Sequence, residues 1–172
     1  METNKLVPII IPSYEPDDRL ISLLLKLDEL NMGPVILVND GSGKQYDEIF
    51  FEAENIIKRQ AGVCLIHEVN RGKGRALKTA FKYVLDNFGS LCGVVTADSD
   101  GQHTPECIQK VKEKLLKNPN NLVLGVRNFS GEDIPWKSRF GNTLTEKVFA
   151  YVAGAHVSDT QTGLRGIPKQ FM

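Results

Sequence analysis

Short β-branched runs alternate along the chain with longer segments whose apolar residues recur every three or four positions. The runs Leu6–Ile11, Val35–Asn39, Val63–Glu68, Cys92–Ala97 and Leu122–Val126 have strand length and are bounded by Pro, Gly, Asn or Asp. Within Asp17–Asn31, residues Leu20, Leu23, Leu24 and Leu27 fall on one helical face, and Tyr46–Gln60, Gly74–Phe88 and Pro105–Asn118 carry similar patterns. Pro105 suits a first helical turn, and Thr104 before it can cap the turn's amides. A further helix is predicted from about Trp136 to Ala153. Strands alternating with helices of this length predict an α/β fold with a mostly parallel sheet and right-handed crossovers.

No repeat, low-complexity tract or linker interrupts the pattern, so residues 1–172 are read as one domain. That length buries about 70% of the unfolded chain's surface. Ser158–Gly166 is polar and turn-rich, and the sequence stops at Met172, six residues later. Domains usually finish on a capped helix or a paired strand. The ending therefore reads as a cut, and the chain as the N-terminal part of a longer protein.

Composition narrows the function classes. Apolar residues make up 41% and charged residues 24%, an ordinary globular balance rather than a disordered one. The 21 basic and 21 acidic side chains cancel, which leaves no basic field and gives no support to a nucleic-acid partner. Cys64, Cys92 and Cys107 are odd in number and widely spaced, and no secretory leader precedes them, so they read as reduced thiols in a cytoplasmic chain. No stretch approaches the ~20 apolar residues of a membrane span. Work at a membrane surface stays open.

In an open parallel sheet, ligands bind beyond the carboxyl ends of the strands. Four predicted strands end in polar sequence: Pro12-Ser13-Tyr14-Glu15-Pro16, Asn39-Asp40-Gly41-Ser42-Gly43, Asn70-Arg71-Gly72-Lys73-Gly74 and Asp98-Ser99-Asp100-Gly101-Gln102-His103. A structural protein would more often place ordinary turns at some of these ends. Asp98 and Asp100 concentrate negative charge at a strand mouth, and a divalent cation offsets that cost, because hard oxygen ligands suit Mg²⁺ or Mn²⁺. Gln102 and His103 add two candidate ligands. The alternative is that both aspartates serve only the turn and the helix start near Thr104. In Asn70–Gly74, two glycines and two cations stand at a helix start, where amides and the positive helix end favour a phosphate. The alternative is a loop with a few solvated basic residues.

Two phosphate motifs fail. Gly41-Ser42-Gly43-Lys44 lacks the Walker glycine, where Val38 stands, and the Ser or Thr, where Gln45 stands. Gly41-x-Gly43 lacks the third glycine of a dinucleotide fingerprint, since Tyr46 occupies that position. There is no GxSxG nucleophile elbow either.

In order, "IPSYEP", "VNDGSG", "NRGKG", "TADSDGQH" and "DTQTGLRG" resemble the family 2 glycosyltransferases of GT-A fold. The sequence is most similar to the polyprenyl-phosphate sugar transferases, a group that includes dolichyl-phosphate mannose synthase. The resemblance runs from about Val7 to Gly166 and implies a nucleotide-binding, Rossmann-like sheet flanked by helices. It implies that Pro12, Tyr14 and Glu15 line the nucleotide pocket. The match is looser at Glu15, because many relatives have Tyr-Asn-Glu where this chain has Tyr14-Glu15-Pro16. The family's Asp-Asp pair is Asn39-Asp40 here, which assigns the base contact to Asp40. By the same likeness Lys73 lies near the nucleotide, and Asp98, Ser99 and Asp100 form the DxD motif, with Asp100 and Gln102 contacting the metal and sugar phosphate. Arg127 matches an arginine near the phosphates or acceptor, and Asp159, Thr162, Gly163 and Arg165 match the acceptor-side segment.

The implied activity is metal-dependent transfer, with inversion, of a hexose from a UDP- or GDP-sugar donor to an acceptor. A polyprenyl phosphate would already be anionic and need no general base. A glycan hydroxyl in cell-surface polysaccharide synthesis would need one, and Asp159 is its candidate. Asp159 could instead stabilise the turn before Gly163, and Arg127 and Arg165 could be plain surface or ion-pairing residues. Trp136, Phe140 and Phe149 could touch a lipid, but core packing of an amphipathic helix explains them better. A non-catalytic nucleotide-sugar binding module and a nucleotidyltransferase are the competing classes. Peripheral contact with the inner face of the membrane, and a homodimer, stay open.

Overall fold

The computed structural model describes residues 5–125 and 163–172. The predicted Trp136–Ala153 helix lies outside the described residues.

Six strands and four α-helices are found among the described residues: β1 (Ile9–Ser13), α1 (Asp18–Glu29), β2 (Val35–Asn39), α2 (Asp47–Ile57), β3 (Val63–Ile66), α3 (Lys73–Asn87), β4 (Gly93–Thr96), α4 (Pro105–Lys117), β5 (Val123–Leu124) and β6 (Arg165–Pro168). The strands form one sheet in the order β3-β2-β1-β4-β6-β5. β1 to β4 run parallel, and β6 lies antiparallel between β4 and β5. The expectation of a mostly parallel α/β sheet holds.

Leu20, Leu23, Leu24 and Leu27 of α1 are all buried, as their spacing predicts. Asp17 caps this helix, its carboxylate accepting from the Arg19 amide at 3.0 Å. At α4, Thr104 is the N-cap, accepting from the Cys107 amide at 3.4 Å, and Pro105 occupies the first turn. Alternate residues of a strand face opposite layers. Ile9 and Ile11 accordingly join Leu24, Phe50 and Leu115 on the α1, α2 and α4 side, while Ile10 joins Ile36, Ala76 and Ala80 on the α3 side. Every residue of β1, β2 and β4 is buried, as covering on both faces requires.

Two expectations are corrected. β1 starts later than read and extends through Pro12 and Ser13, because those residues pair with Val38 and Asn39 of β2. Pro8 cannot donate to a ladder, and Leu6 makes only an isolated bridge to Leu91. The turn-rich reading up to Gly166 also fails at its end, since Arg165 and Gly166 open strand β6. Gly166 pairs with Val95 and Val123, and a Cβ there would stand 3.0 Å from Val111 of α4. Local sequence cannot show that fit.

The strand order reverses at β1, which has β2 on one side and β4 on the other. A crevice for ligands is expected beyond the carboxyl ends of β1 and β4.

Candidate functional site

Tyr14 and Glu15 follow β1, with Pro12 buried inside the strand. Glu15 has φ of 48°, a left-handed conformation that costs energy outside glycine. Its amide donates to Ser42 Oγ at 2.9 Å, and the Ser42 amide donates to Asn39 Oδ1 at 2.9 Å. The loops after β1 and β2 are thereby tied together. The Glu15 carboxylate beside Tyr14 raises its phenol above the ordinary value. Ser13 Oγ, at the very end of β1, is buried without a hydrogen-bond partner among the described residues.

Asp40 follows β2 and is buried, with 3% of its surface exposed. Its Oδ1 accepts from the Arg71 amide at 3.1 Å and lies 2.6 Å from His67 Nδ1. His67 Nε2 lies 2.9 Å from Thr79 Oγ1 of α3. Beside Asp40, Gly41 has φ of +76°, and a Cβ on it would sit 2.1 Å from the Val69 carbonyl carbon. The loop after β3 is pressed directly onto the end of β2.

Lys73, read as a loop residue, is the first residue of α3. The unpaired first-turn amides of that helix and its positive end therefore lie in the Asn70–Gly74 segment. The Lys73 ammonium contacts Asp98 Oδ1, spanning from the β3 side of the sheet to the end of β4. His103 Nε2 stands 3.7 Å from Asp98 Oδ2, an ion-pair distance rather than a hydrogen bond, and has no hydrogen-bond partner among the described residues. His103 first and Lys73 second hold the Asp98 carboxyl down to about 2, against burial that raises it. Asp100 Oδ1 accepts from the Gln102 amide at 3.1 Å, and Oδ2 from the Gln102 side chain at 2.7 Å. The helix cap is Thr104, so neither aspartate performs that task.

The donor set can be tested against a divalent ion. Asp98, Asp100 and Gln102 offer hard oxygen atoms suited to Mg²⁺ or Mn²⁺. Among the described residues, however, no three acidic, histidine or cysteine side chains group closely enough to hold an ion alone. Such a set fits an ion that completes its shell with substrate phosphates, the usual habit of Mg²⁺.

The structure thus brings Tyr14, Glu15, Asn39, Asp40, Lys73, Asp98, Ser99, Asp100 and Gln102 to one rim. Gly163 joins them: Thr96 Oγ1 donates to its carbonyl at 2.8 Å, and a Cβ on it would lie 2.0 Å from Asp98 Oδ2. Arg165 is a half-buried residue of β6, paired in register with Thr96. Arg127, Asp159 and Thr162 lie outside the described residues. The sequence reading missed His67 and Thr79. It extended the third strand to Glu68, whereas β3 stops at Ile66, so His67 sits at a strand's carboxyl end, where function is sought.

Residues 9–167 match the sequence family described as Glycosyl transferase family 2. The chain belongs to that family. The UDP-N-acetylglucosamine–dolichyl-phosphate N-acetylglucosaminyltransferase of Methanococcus voltae is 28% identical over 96% of this chain and 70% of its own length. The dolichyl-phosphate hexose transferase of Haloferax volcanii is 26% identical over 95% of this chain and 67% of its own length. A solved mannosyltransferase, PcManGT from Pyrobaculum calidifontis in complex with GDP-Man and Mn²⁺, superposes with a TM-score of 0.47 at 21% identity, covering 57% of this chain and 28% of that one. The chain therefore spans about two thirds of the length of these two curated relatives. Membership makes it a glycosyltransferase of GT-A fold, and the nucleotidyltransferase reading falls away. No helix among the described residues is long and apolar enough to cross a membrane.

Proposed function

We propose that this family 2 glycosyltransferase moves a hexose from a nucleotide-diphosphate sugar to a polyprenyl phosphate. The observation that carries the reading is the meeting of Lys73, Asp98 and Gly163, which joins the phosphate-favouring start of α3, the DxD carboxylate and the acceptor-side segment at one point. Sequence relatives whose names specify dolichyl phosphate support the acceptor class. An open cavity of about 500 Å³ beside Gln102 and His103 supports it further, being lined by Val111, Val123 and Leu164 with Lys110 and Lys114. Apolar surface beside cations suits a lipid that carries a phosphate.

In this reading Tyr14, Glu15, Asn39 and Asp40 shape the nucleotide pocket at the ends of β1 and β2. Lys73 and the first turn of α3 receive the diphosphate, with Arg127 and Arg165 as further cations. Asp98, Asp100 and Gln102 would hold Mg²⁺ or Mn²⁺, which supplies Lewis-acid charge stabilisation to the departing diphosphate. The acceptor phosphate attacks the anomeric carbon as the bond to the diphosphate breaks. A nucleoside diphosphate leaves, and the configuration inverts. The nucleophile is already ionised near neutral pH, its second pKa being about 6, so no general base is needed. The lipid acceptor would place the reaction at a membrane surface.

The test is transfer of labelled hexose from UDP- and GDP-sugars to polyprenyl phosphate by the full-length protein. Label is expected in a lipid-phosphate product of inverted configuration, and chelation by EDTA is expected to stop its formation. Label passing only to a glycan hydroxyl, or only to water, would overturn the acceptor assignment.

A further inference from the structure

Asp40, placed above at the nucleotide pocket, forms a buried polar pair with His67, a residue to which the proposed chemistry gives no task. Both side chains are under 10% exposed, at 4% and 7%. A carboxylate in that setting is costly unless its lone pairs are filled. Apolar side chains would pack the same volume without that cost, so the pair calls for a reason beyond packing. The geometry supplies one. Asp40 Oδ1 serves two donors at once, His67 Nδ1 and the backbone amide of Arg71. Because a carboxylate only accepts, Nδ1 carries the proton, and the ring is fixed from its far side by Thr79 Oγ1 at 2.9 Å.

The Arg71 amide belongs to the segment that delivers Lys73. That segment is anchored at one end by Asp40 and meets Asp98 at the other through Lys73. Gly41, whose place beside the Val69–Asn70 backbone admits no side chain, records how closely the segment lies on the end of β2. Both ring nitrogens of His67 are engaged, one by Asp40 and the other by Thr79, so His67 acts through Asp40. It holds the carboxylate that holds the loop.

We infer that His67 is a positioning residue that, through Asp40 and the Arg71 amide, fixes the phosphate-receiving loop and so sets affinity for the donor. This rests on the donor-site reading above. Thr79 and Asp40 are its partners, and the buried network joins α3, β2 and the loop into one rigid corner.

Isosteric substitutions separate positioning from bulk stability. In His67→Asn the side-chain amide nitrogen replaces Nδ1 and can still donate to Asp40, whereas in His67→Gln it replaces Nε2 and reaches only toward Thr79. Two readouts on the full-length protein are needed. One is hydrogen exchange at the Arg71 amide without nucleotide. The other is the KM for donor against kcat. His67→Gln is expected to speed Arg71 exchange and raise the donor KM about tenfold or more, the usual effect of one lost hydrogen bond to a charged group, with kcat changed far less. His67→Asn is expected to restore most of both. His67→Phe, which fills the space without donating, should behave like Gln. Wild-type Arg71 exchange in the Gln and Phe variants would overturn the inference. So would equal losses in Asn and Gln that merely follow a lowered Tm. If no nucleotide sugar binds even the wild type, the donor reading fails, and the exchange data still decide whether His67 fixes the loop.

Discussion

Lys73, the first residue of α3, meets Asp98, the first residue of the DxD motif, across the ends of strands β2 and β1. Neither partner is fully buried, and side-chain exposures of 52% and 28% leave both open to a ligand. Lys73→Gln removes the charge and keeps most of the length. Donor affinity should fall about 10- to 100-fold, the usual worth of a charge-assisted contact, while Tm moves little because exposed ion pairs contribute little to stability. Calorimetric titration with the nucleotide alongside thermal unfolding checks both halves.

Gly163 should tolerate no side chain. A methyl group in Gly163→Ala would overlap the Asp98 carboxylate, so either Asp98 or the β6 approach has to shift. Turnover should drop at least tenfold, because misplacing a catalytic group by about 1 Å costs on the order of 10²-fold. Single-turnover transfer rates for the variant and wild type provide the comparison.

The three cysteines should differ sharply in reactivity. Burial first, and the nearby Glu54 second, push the Cys64 thiol up to about 11, while Cys92 is buried and Cys107 exposed. A thiol attacks as thiolate, so an upward shift moves its reactive window to higher pH and leaves about one part in a thousand ionised at pH 8. Maleimide labelling of the native protein at pH 8 should mark Cys107 and spare Cys64 and Cys92. Peptide mapping before and after denaturation reads the pattern, and raising the pH toward 11 should bring Cys64 in.

Neighbouring leucines of α1 give a stability contrast. Leu24 is 1% exposed and Leu25 40%. Leu24→Ala should cost about 2–5 kcal/mol and Leu25→Ala less than about 1, from lost packing in one case and little in the other. Urea unfolding of the two variants measures the difference.

Elements whose cause is local were legible in the sequence. The α1 leucines, the Thr104 cap with Pro105, and the polar ends of β1, β2 and β4 could all be read because spacing or a single residue type determines them. Strand β6 could not. Arg165-Gly166-Ile167-Pro168 has no β-branched run, and it is a strand because β4 and β5 offer it edges and α4 fits its glycine. His67 escaped for a related reason. Among the described residues β3 pairs only with β2, and that pairing ends at Ile66 opposite Asn39, a limit imposed by the neighbour and not by the alternation of Val63–Glu68. The DxD motif and Lys73 could be named in advance, but their contact depends on the strand order and follows from no spacing along the chain.

The proposed transfer depends on a nucleotide-sugar site completed by Asp100 and a divalent ion. Titration calorimetry with UDP, GDP, UDP-glucose and GDP-mannose, with and without Mn²⁺, on wild type and Asp100→Ala tests it most directly. One nucleotide class should bind wild type, Mn²⁺ should be required, and Asp100→Ala should abolish binding. Binding of equal strength without metal, or unchanged in Asp100→Ala, would contradict it.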